Sequence, residues 1–266
     1  MNELHLQNKF LIPFFREGLG YREVKPNTVT NSLIIEEDLQ EFISQTELNK
    51  KPYETLLKKY SGDKDKLLKD LIKLIKERSC SSRNMALFIN LNKSITLQGI
   101  KLYLFYTGDS VIHNNALFDE NIFSVVQELP YKYSYNGKQI FSFRPDIVLF
   151  VNGIYLGYSE LKSNYTSQSA SKNGRGKVIK DYFEAIRIYH QHFDSNDMLS
   201  EKEKDTYRKD FLKIFEKAIH ITTTDIGETF VIRTIVDYFD EILTTCREGK
   251  FDREEVEKKA SSAFKP

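Results

Sequence analysis

The sequence predicts a mixed α/β (α+β) fold, in which an N-terminal helical region precedes a central mixed sheet flanked by helices. Residues 51–78 carry leucines and isoleucines at helical spacing among many lysines. Residues 147–151 and 154–161 are two apolar runs separated by Asn152-Gly153, the strongest short-range signal for a β-hairpin. Runs this apolar are typical of strands buried on both faces, so the hairpin is predicted to lie in the middle of the sheet.

Composition and charge narrow the class of protein. The 266 residues are 40% hydrophobic and 29% charged, which is typical of a globular protein with a sizeable core. The net charge of +1 gives no global sign of a nucleic-acid binder, so any DNA contact must come from local basic patches or from partner proteins. Two cysteines without disulfide or metal spacing, no signal-peptide core and no membrane-length apolar run predict a cytoplasmic protein that contacts no membrane.

The N-terminal region is predicted to be helical. Residues 3–18 place apolar side chains near helical spacing and are expected to form a helix that ends at a glycine. After an extended stretch, Ser32 is expected to cap a short helix that begins at Glu36. Residues 51–78 predict a pair of helices broken near Ser61-Gly62-Asp63.

The lysines of residues 51–78 allow two interpretations. They could follow the phosphates of a nucleic acid. A solvated helix face, in which lysines alternate with Asp and Glu, is the interpretation that the charge pattern favours.

Strands are predicted from residue 95 onward. Residues 95–106 alternate like one strand, residues 121–127 form another, and residues 139–143 end a hairpin around Asn136-Gly137. Five aromatic side chains near this hairpin could stack on bases, but their alternation is more typical of core and cross-strand packing. They are Tyr131, Tyr133, Tyr135, Phe141 and Phe143.

The segment that follows the second apolar run is polar and then helical. Residues 163–176 are rich in serine and lead into Gly174-Arg175-Gly176-Lys177, which is interpreted either as a mobile basic loop that clamps a DNA backbone or as a plain connection. Residues 177–189 predict a helix that returns across the sheet as a crossover. The remaining chain is expected to form a charged insertion (194–210), a strand (218–225) and a helix (231–245).

Three ionisable side chains occupy the ends of the predicted core strands. Asp146 opens the first strand, and Glu160 and Lys162 close the second, where a charge is costly unless it has a partner or a metal. Asp146 and Glu160 could hold Mg²⁺ through carboxylate oxygens, and the cation would lower the pKa of a bound water. Lys162 shares a strand face with Glu160 and could orient that water or stabilise the transition state. The alternative is a buried ion pair with a structural role only.

The predicted hairpin sets a geometric condition on this metal site. With a strict two-residue turn at Asn152-Gly153, Asp146 would lie opposite Ser159, and Glu160 would point to the other face of the sheet. We therefore expect a three-residue connection or a β-bulge between Asp146 and Glu160, or a bend at Pro145, that brings the two carboxylates together. A regular two-residue hairpin with the carboxylates on opposite faces would count against the metal site.

These residues resemble a known family. The block Arg144-Pro-Asp-Ile-Val-Leu-Phe-Val-Asn-Gly153, followed by Glu160-Leu-Lys162, is similar to the N-terminal endonuclease domain of the R (HsdR) subunit of type I restriction enzymes, which belongs to the PD-(D/E)xK nuclease superfamily. Residues 121–127, Leu19-Gly-Tyr21 and residues 34–42 extend the resemblance over about two thirds of the chain.

The resemblance implies a restriction-endonuclease-like fold and an activity. The activity is cleavage of phosphodiester bonds in double-stranded DNA with Mg²⁺, or Mn²⁺ in its place, and without sequence specificity of the domain's own. Asp146 and Glu160 would be metal ligands and, with Lys162 and Tyr182, catalytic residues. The family carries a Gln-x-x-x-Tyr pair after the lysine; Tyr182 matches the tyrosine, but Val178 stands at the position of the glutamine.

Further contacts are implied by the same resemblance. DNA contacts are expected at Arg144, Arg175 and Lys177. In the superfamily the first helix sometimes supplies an extra polar group to the metal site. The side chains available in this chain are Glu3, Gln7 and Glu17, and each is expected to be a solvated helix residue.

The resemblance also implies partners and a domain organisation. The partners would be DNA and the methyltransferase (M) and specificity (S) subunits, and ATP would act only through motor domains outside this chain, which has no Gly-x-x-x-x-Gly-Lys-Ser/Thr loop. We expect a helical region at 1–93, a nuclease core at 94–246 and a tail at 247–266 that leads to the motor domains. The alternatives are a catalytically silent fragment that docks onto the restriction complex and a stand-alone defence or repair nuclease of the superfamily.

Overall fold

The computed structural model describes residues 3–108, 116–162, 170–224, 227–233 and 235–252, together with 254 and 258. The chain forms two compact units. The first unit contains Met1–Phe14, Gln127–Val148 and Gly157–Pro266, and the second contains Phe15–Val126 and Leu149–Leu156. Both units are discontinuous in sequence, whereas the predicted regions 1–93, 94–246 and 247–266 are continuous; those regions stay a prediction.

The fold is mixed α/β, as predicted. The strands are β1 (Arg22–Val24), β2 (Ser94–Leu97), β3 (Ile100–Tyr103), β4 (Phe123–Gln127), β5 (Tyr131–Tyr135), β6 (Lys138–Phe143), β7 (Ile147–Val151), β8 (Ile154–Lys162), β9 (Ile219–Thr224) and β10 (Thr229–Ile232). The helices are α1 (Glu3–Leu6), α2 (Glu36–Gln45), α3 (Glu47–Lys59), α4 (Lys64–Ser79), α5 (Met85–Leu91), α6 (Ala116–Asp119), α7 (Arg175–Tyr189), α8 (Glu201–Phe211), α9 (Lys213–Glu216) and α10 (Phe239–Arg247).

A six-stranded mixed sheet has the strand order β1-β4-β7-β8-β9-β10, and β2-β3 and β5-β6 form separate two-stranded sheets. In the first unit β9 pairs in parallel with the end of β8, with Glu160 opposite Thr222, and β10 pairs antiparallel with β9. A parallel neighbour requires a crossover connection, and α7 lies between β8 and β9 in the chain. The predicted crossover helix is therefore confirmed.

The central hairpin turns within two residues. Asn152 and Gly153 have φ values of +50° and +75°, which is the backbone of a type I′ turn between β7 and β8. The Asn152 side chain accepts from Ile122 N at 2.7 Å and donates to Leu104 O and Asn121 Oδ1 at 2.9 Å. The predicted three-residue connection is wrong, because this asparagine adopts the positive φ that a two-residue turn needs and also hydrogen-bonds to the neighbouring backbone.

The helices of the second unit follow the local pattern of the sequence. The predicted helix pair is α3 and α4, and Asp63 caps α4 by accepting from Lys66 N. The buried face of α4 joins a core that includes Leu39, Phe42, Leu56, Leu67, Leu71, Phe88 and Leu102. The predicted cap at Ser32 is wrong, because α2 has Ile35 at its N-cap position and no side-chain cap.

Three other predictions about elements need correction. Residues 95–106 contain a hairpin, β2-β3, because Gln98 and Gly99 both take positive φ and reverse the chain. The predicted helix at 231–245 begins only at Phe239, because its first residues pair with β9 as strand β10. Arg175–Tyr189 is helical, so Arg175, Gly176 and Lys177 belong to α7 and not to a basic loop. The stretch 163–169 and most of the predicted tail lie outside the described residues.

The aromatic side chains of the β5-β6 hairpin pack within the first unit. The ring of Tyr133 lies 4.9 Å from that of Phe211, Tyr135 lies 4.8 Å from Phe193, and Phe143 lies 5.0 Å from Phe215. Core packing, the alternative that the strand periodicity favoured over base stacking, is confirmed. None of the helices in the described part of the chain is long and apolar enough to cross a membrane.

Candidate functional site

The strand ends of the first unit bring Asp146, Glu160 and Lys162 together. Asp146 lies in a bend just before β7, outside the alternation of the strand, so the register of the hairpin does not decide where its side chain points. Its Oδ2 accepts a hydrogen bond of 2.7 Å from Leu161 N, the residue between Glu160 and Lys162. The structure thus has a bend at Asp146, one residue after the expected position at Pro145, and the hydrogen bond to Leu161 N places this carboxylate beside the Glu160-Leu161-Lys162 segment.

Glu160 is the most deeply buried member of the site. The residue is 1% exposed, its Oε2 contacts Lys177 Nζ at 2.5 Å, and its Oε1 is buried without a hydrogen-bond partner among the described residues. Burial raises the pKa of Glu160 to about 7; Lys177 opposes this shift and the charge of Asp146 adds to it. A buried carboxylate oxygen without a partner is unfavourable, and a ligand such as a cation would relieve it.

Two lysines approach the same carboxylate. Lys162 Nζ donates to Leu161 O at 2.6 Å and lies 3.8 Å from Glu160 Oε2 and from Glu3 Oε1. Lys177, in the first turn of α7, also lies 3.5 Å from Asp181 Oδ2. Burial lowers the pKa of Lys177, but the carboxylates of Glu160 and Asp181 outweigh burial, and the pKa lies above its ordinary value. Burial raises the pKa of the Asp181 carboxyl against the opposing charge of Lys177.

Gln7, one of the three candidates from the first helix, lies beside the site. The expectation that it is solvated is wrong: Gln7 is 3% exposed, and its Nε2 donates to Asp146 O and Gln127 Oε1 at 3.2 Å. The carbonyl of Asp146 also accepts from Glu128 N at 2.9 Å. Gln7 thus helps to fix the backbone of Asp146. The signal present in the sequence was weak: Gln7 follows Glu3 by four residues, which places the two on one helix face.

The other expected groups of the first helix lie in different surroundings. Glu3 is half-exposed and approaches Lys162, so it also lies beside the site. Glu17 is exposed, as expected for a solvated helix residue.

Tyr182 lies in a different buried cluster. Its hydroxyl donates to Glu216 Oε1 at 2.9 Å, and the same oxygen accepts from Arg208 Nε at 3.2 Å. Burial and the charge of Glu216 raise the pKa of Tyr182 well above its usual range. A catalytic role for Tyr182 stays a prediction, and these contacts favour the alternative of a core tyrosine. Val178, at the position of the family glutamine, is fully buried.

The predicted DNA contacts differ in their exposure. Arg144 is exposed, with its guanidinium 3.9 Å from Glu128. Arg175 is 6% exposed and lies over the ring of Phe230 at 5.4 Å, so its burial argues against a DNA contact. The adjacent Gly174 is required by packing, because a Cβ there would lie 2.7 Å from Thr222 Cβ.

The donor set fits a hydrated Mg²⁺ better than a metal held by protein alone. Among the described residues there is no group of three His, Cys, Asp or Glu side chains that could hold a metal ion. Mg²⁺ is usually bound by one or two carboxylates, while water and phosphate oxygens fill its remaining positions. The pair Asp146 and Glu160, with the unpartnered Oε1, meets that requirement, whereas a structural zinc site would need four protein ligands.

The comparisons with known proteins point to one family. The family model described as type I restriction enzyme R protein N terminus matches residues 1–208, a span that contains Asp146, Glu160, Lys162 and Lys177. No curated protein and no solved structure matches the chain. Since the matched span is well over half of the 266 residues, the chain belongs to the family of type I restriction enzyme R protein N termini, the nuclease region of that subunit.

Proposed function

We propose that this domain hydrolyses phosphodiester bonds of double-stranded DNA in a Mg²⁺-dependent reaction, without sequence specificity of its own. The observation that carries the proposal is the arrangement of two carboxylates at adjacent strand ends. Asp146 accepts a hydrogen bond from Leu161 N, and next to it Glu160 has one buried oxygen that has no partner in the part of the chain that the structure describes. Carboxylates placed in this way, with one oxygen left for a ligand, suit a cation more than a closed structural ion pair.

The chain's own groups have distinct tasks in this proposal. Asp146 and Glu160 would hold the cation, and Leu161 N and the amide of Gln7 keep Asp146 in position. When bound, Mg²⁺ would lower the pKa of a coordinated water and offset negative charge on the scissile phosphate. The ammonium group of Lys162, held by Leu161 O, would donate a hydrogen bond to the attacking water or to a phosphate oxygen.

Family membership supports a proposal for the DNA substrate and the partner proteins. Type I R subunits act within a restriction complex, so the M and S subunits are the proposed partners. The chain's charge of +1 and its one exposed predicted arginine, Arg144, support phosphate contacts that are few and local. The S subunit would recognise the DNA sequence. Cleavage would normally be coupled to ATP-driven translocation by domains outside this chain.

The test pairs metal binding with DNA nicking. We expect Asp146→Asn to abolish nicking of supercoiled plasmid in Mg²⁺ or Mn²⁺ and to weaken Mn²⁺ binding at least about tenfold by calorimetry, since a charged ligand is lost while the acceptor for Leu161 N is kept. Asp205→Asn on α8 is the matched control, because Asp205 is exposed and paired with Lys209. That variant should behave as the wild type does.

One result would favour the second candidate function, a docking module without catalysis. If the wild type and Asp146→Asn bind Mn²⁺ equally and neither nicks plasmid, Asp146 is not a ligand and the nuclease proposal fails for this chain. The ion pair between Glu160 and Lys177 would then be a structural contact.

A further inference from the structure

We infer that Lys177 competes with the divalent cation for Glu160: without metal its ammonium group occupies Oε2, and metal binding displaces it. The inference rests on the proposed function, since it concerns the same pair of carboxylates. It gives Lys177 a task in metal binding in addition to its expected contact with DNA.

The contacts of Glu160 show that Lys177 is its principal counterion. Lys177 Nζ lies 2.5 Å from Oε2, whereas Lys162 Nζ lies 3.8 Å from the same atom. Lys162 in addition donates to Leu161 O, and this main-chain contact fixes its position. A cation that binds Oε1, the oxygen left for a ligand, and then Oε2 as well must therefore displace the ammonium group of Lys177 from Oε2.

The surroundings of Lys177 allow it to leave. Its side chain is 40% exposed, while those of Glu160 and Lys162 are 2% and 10% exposed. Asp181 Oδ2, at 3.5 Å, offers the displaced ammonium group a second carboxylate one helical turn along α7. The buried Glu160 carboxylate thus has a positive partner in both states: Lys177 in the absence of the cation, and the cation when it is bound.

Metal affinity measures this competition directly. The variant Lys177→Met keeps the length of the side chain and removes the charge. If the ion pair is closed in roughly nine tenths of the molecules, its removal should tighten Mn²⁺ binding roughly tenfold in calorimetry at constant pH. Lys177→Arg, which keeps a cation, should bind Mn²⁺ as the wild type does. Lys180→Met is the matched control, because it removes the same charge from the same helix three residues further on.

The outcomes separate this inference from the proposed function. Tighter binding in Lys177→Met alone supports the competition. Equal Mn²⁺ affinity in Lys177→Met and the wild type, with binding still lost in Asp146→Asn, overturns the inference and leaves the metal site standing. Equal gains in Lys177→Met and Lys180→Met also overturn it, since a general charge effect would then explain both. Binding that is insensitive to Asp146→Asn overturns the metal site and the inference together.

A second measurement uses the wild-type chain and does not depend on the folding of a variant. Acetylation of lysines, read by mass spectrometry of peptides, should be faster at Lys177 in the presence of Mn²⁺ and unchanged at Lys180. A rate at Lys177 that is unchanged or slower with saturating Mn²⁺ would show that the ammonium group is not displaced.

Discussion

At the scale of single residues, His220 links the stability of the first unit to pH. The ring is fully buried beside Tyr158, with Nε2 3.0 Å from Phe215 O, and Nδ1 has no hydrogen-bond partner within the described ranges of the chain. Burial lowers the pKa of His220 to about 3, from the ordinary value of 6.5. Below pH 6.5 His220 therefore becomes protonated in the unfolded chain but stays neutral in the folded chain, so the free energy of unfolding falls as the pH falls.

We expect the free energy of unfolding to fall by about 2 kcal/mol between pH 7 and pH 5 through this histidine. Urea unfolding at both pH values measures it. The variant His220→Gln removes the titration and keeps an N–H donor for Phe215 O, so its loss over the same interval should be smaller by that amount. If the wild type and His220→Gln lose equal stability, the buried histidine does not set the pH dependence.

The residues of the site differ in how far the sequence revealed them. Asp146, Glu160 and Lys162 could be assigned to neighbouring strand ends because each lies at the end of an apolar run. The hairpin rule alone put the two carboxylates on opposite faces of the sheet, because it does not include the bend at Asp146 just before β7. Lys177 could be assigned only as a basic residue, because its contact with Glu160 depends on how α7 returns to the sheet. The contact of Gln7 with Asp146 spans 139 positions, and no local pattern encodes a pairing at that separation.

At the scale of elements, the stability of the turn between β7 and β8 should depend on the side chain of Asn152. Asn152 is fully buried and makes three hydrogen bonds, to Ile122 N, Leu104 O and Asn121 Oδ1. We expect Asn152→Ala to lower the free energy of unfolding by roughly 3–5 kcal/mol, because it leaves buried polar groups without partners and puts alanine at positive φ. Chemical denaturation measures the change.

The other hairpin supplies the control for this substitution. Asn136 has the same φ of +50° in the β5-β6 turn, but it is exposed. Asn136→Ala should therefore cost only the strain of positive φ, about 1–2 kcal/mol. Similar losses in the two variants would mean that the buried hydrogen bonds of Asn152 contribute little.

Strands β8 and β9 meet closely at a glycine. A Cβ on Gly157 would lie 2.0 Å from Ile219 O and 2.7 Å from Ile219 N, so the two backbones would have to separate. We expect Gly157→Ala to destabilise the chain by more than about 3 kcal/mol, the upper range for overpacking, as measured by thermal denaturation.

A helical glycine is the matched control for Gly157. Gly176 lies in α7 with nothing within 4 Å of a built Cβ. Gly176→Ala should leave stability unchanged or raise it by up to about 1 kcal/mol, because alanine favours the helix. If Gly157→Ala melts at the same temperature as the wild type, the close approach of strands β8 and β9 is contradicted.

Elements were predictable where the signal was local. The α3-α4 pair and the positions of the two Asn-Gly hairpins follow from spacing and turn chemistry, although the length of the connection at Asn152-Gly153 was predicted wrongly. The β2-β3 turn was not predicted because Gln98 has a φ of +48°, and glutamine is not a residue type that usually adopts positive φ. Strand β10 was not predicted because Val231 and Ile232 also fit a helical pattern. Their pairing with β9 is what favours the strand over the helix.

At the scale of the whole molecule, the two units could not be read from the order of the chain. Met1–Phe14 belongs with Gln127–Val148 and Gly157–Pro266 in the first unit. Segment membership of this kind depends on contacts between distant parts of the sequence, which composition and periodicity do not encode. The family, whose model matches residues 1–208, was predictable for the opposite reason, since the resemblance was seen in one contiguous block from Arg144 to Lys162.

The isolated chain should cleave DNA without help from ATP. Its 266 residues contain no Gly-x-x-x-x-Gly-Lys-Ser/Thr loop to cradle a nucleotide's phosphates, so any coupling of cleavage to ATP must come from other domains. We expect the rate of plasmid nicking to change less than about twofold when ATP is added at constant free Mg²⁺, because a nucleotide without a binding site acts only as a chelator. ADP at the same free Mg²⁺ controls for weak binding of any nucleotide. A rate that rises with ATP and not with ADP would show that these residues bind ATP themselves and would contradict the proposed separation of cleavage from the motor.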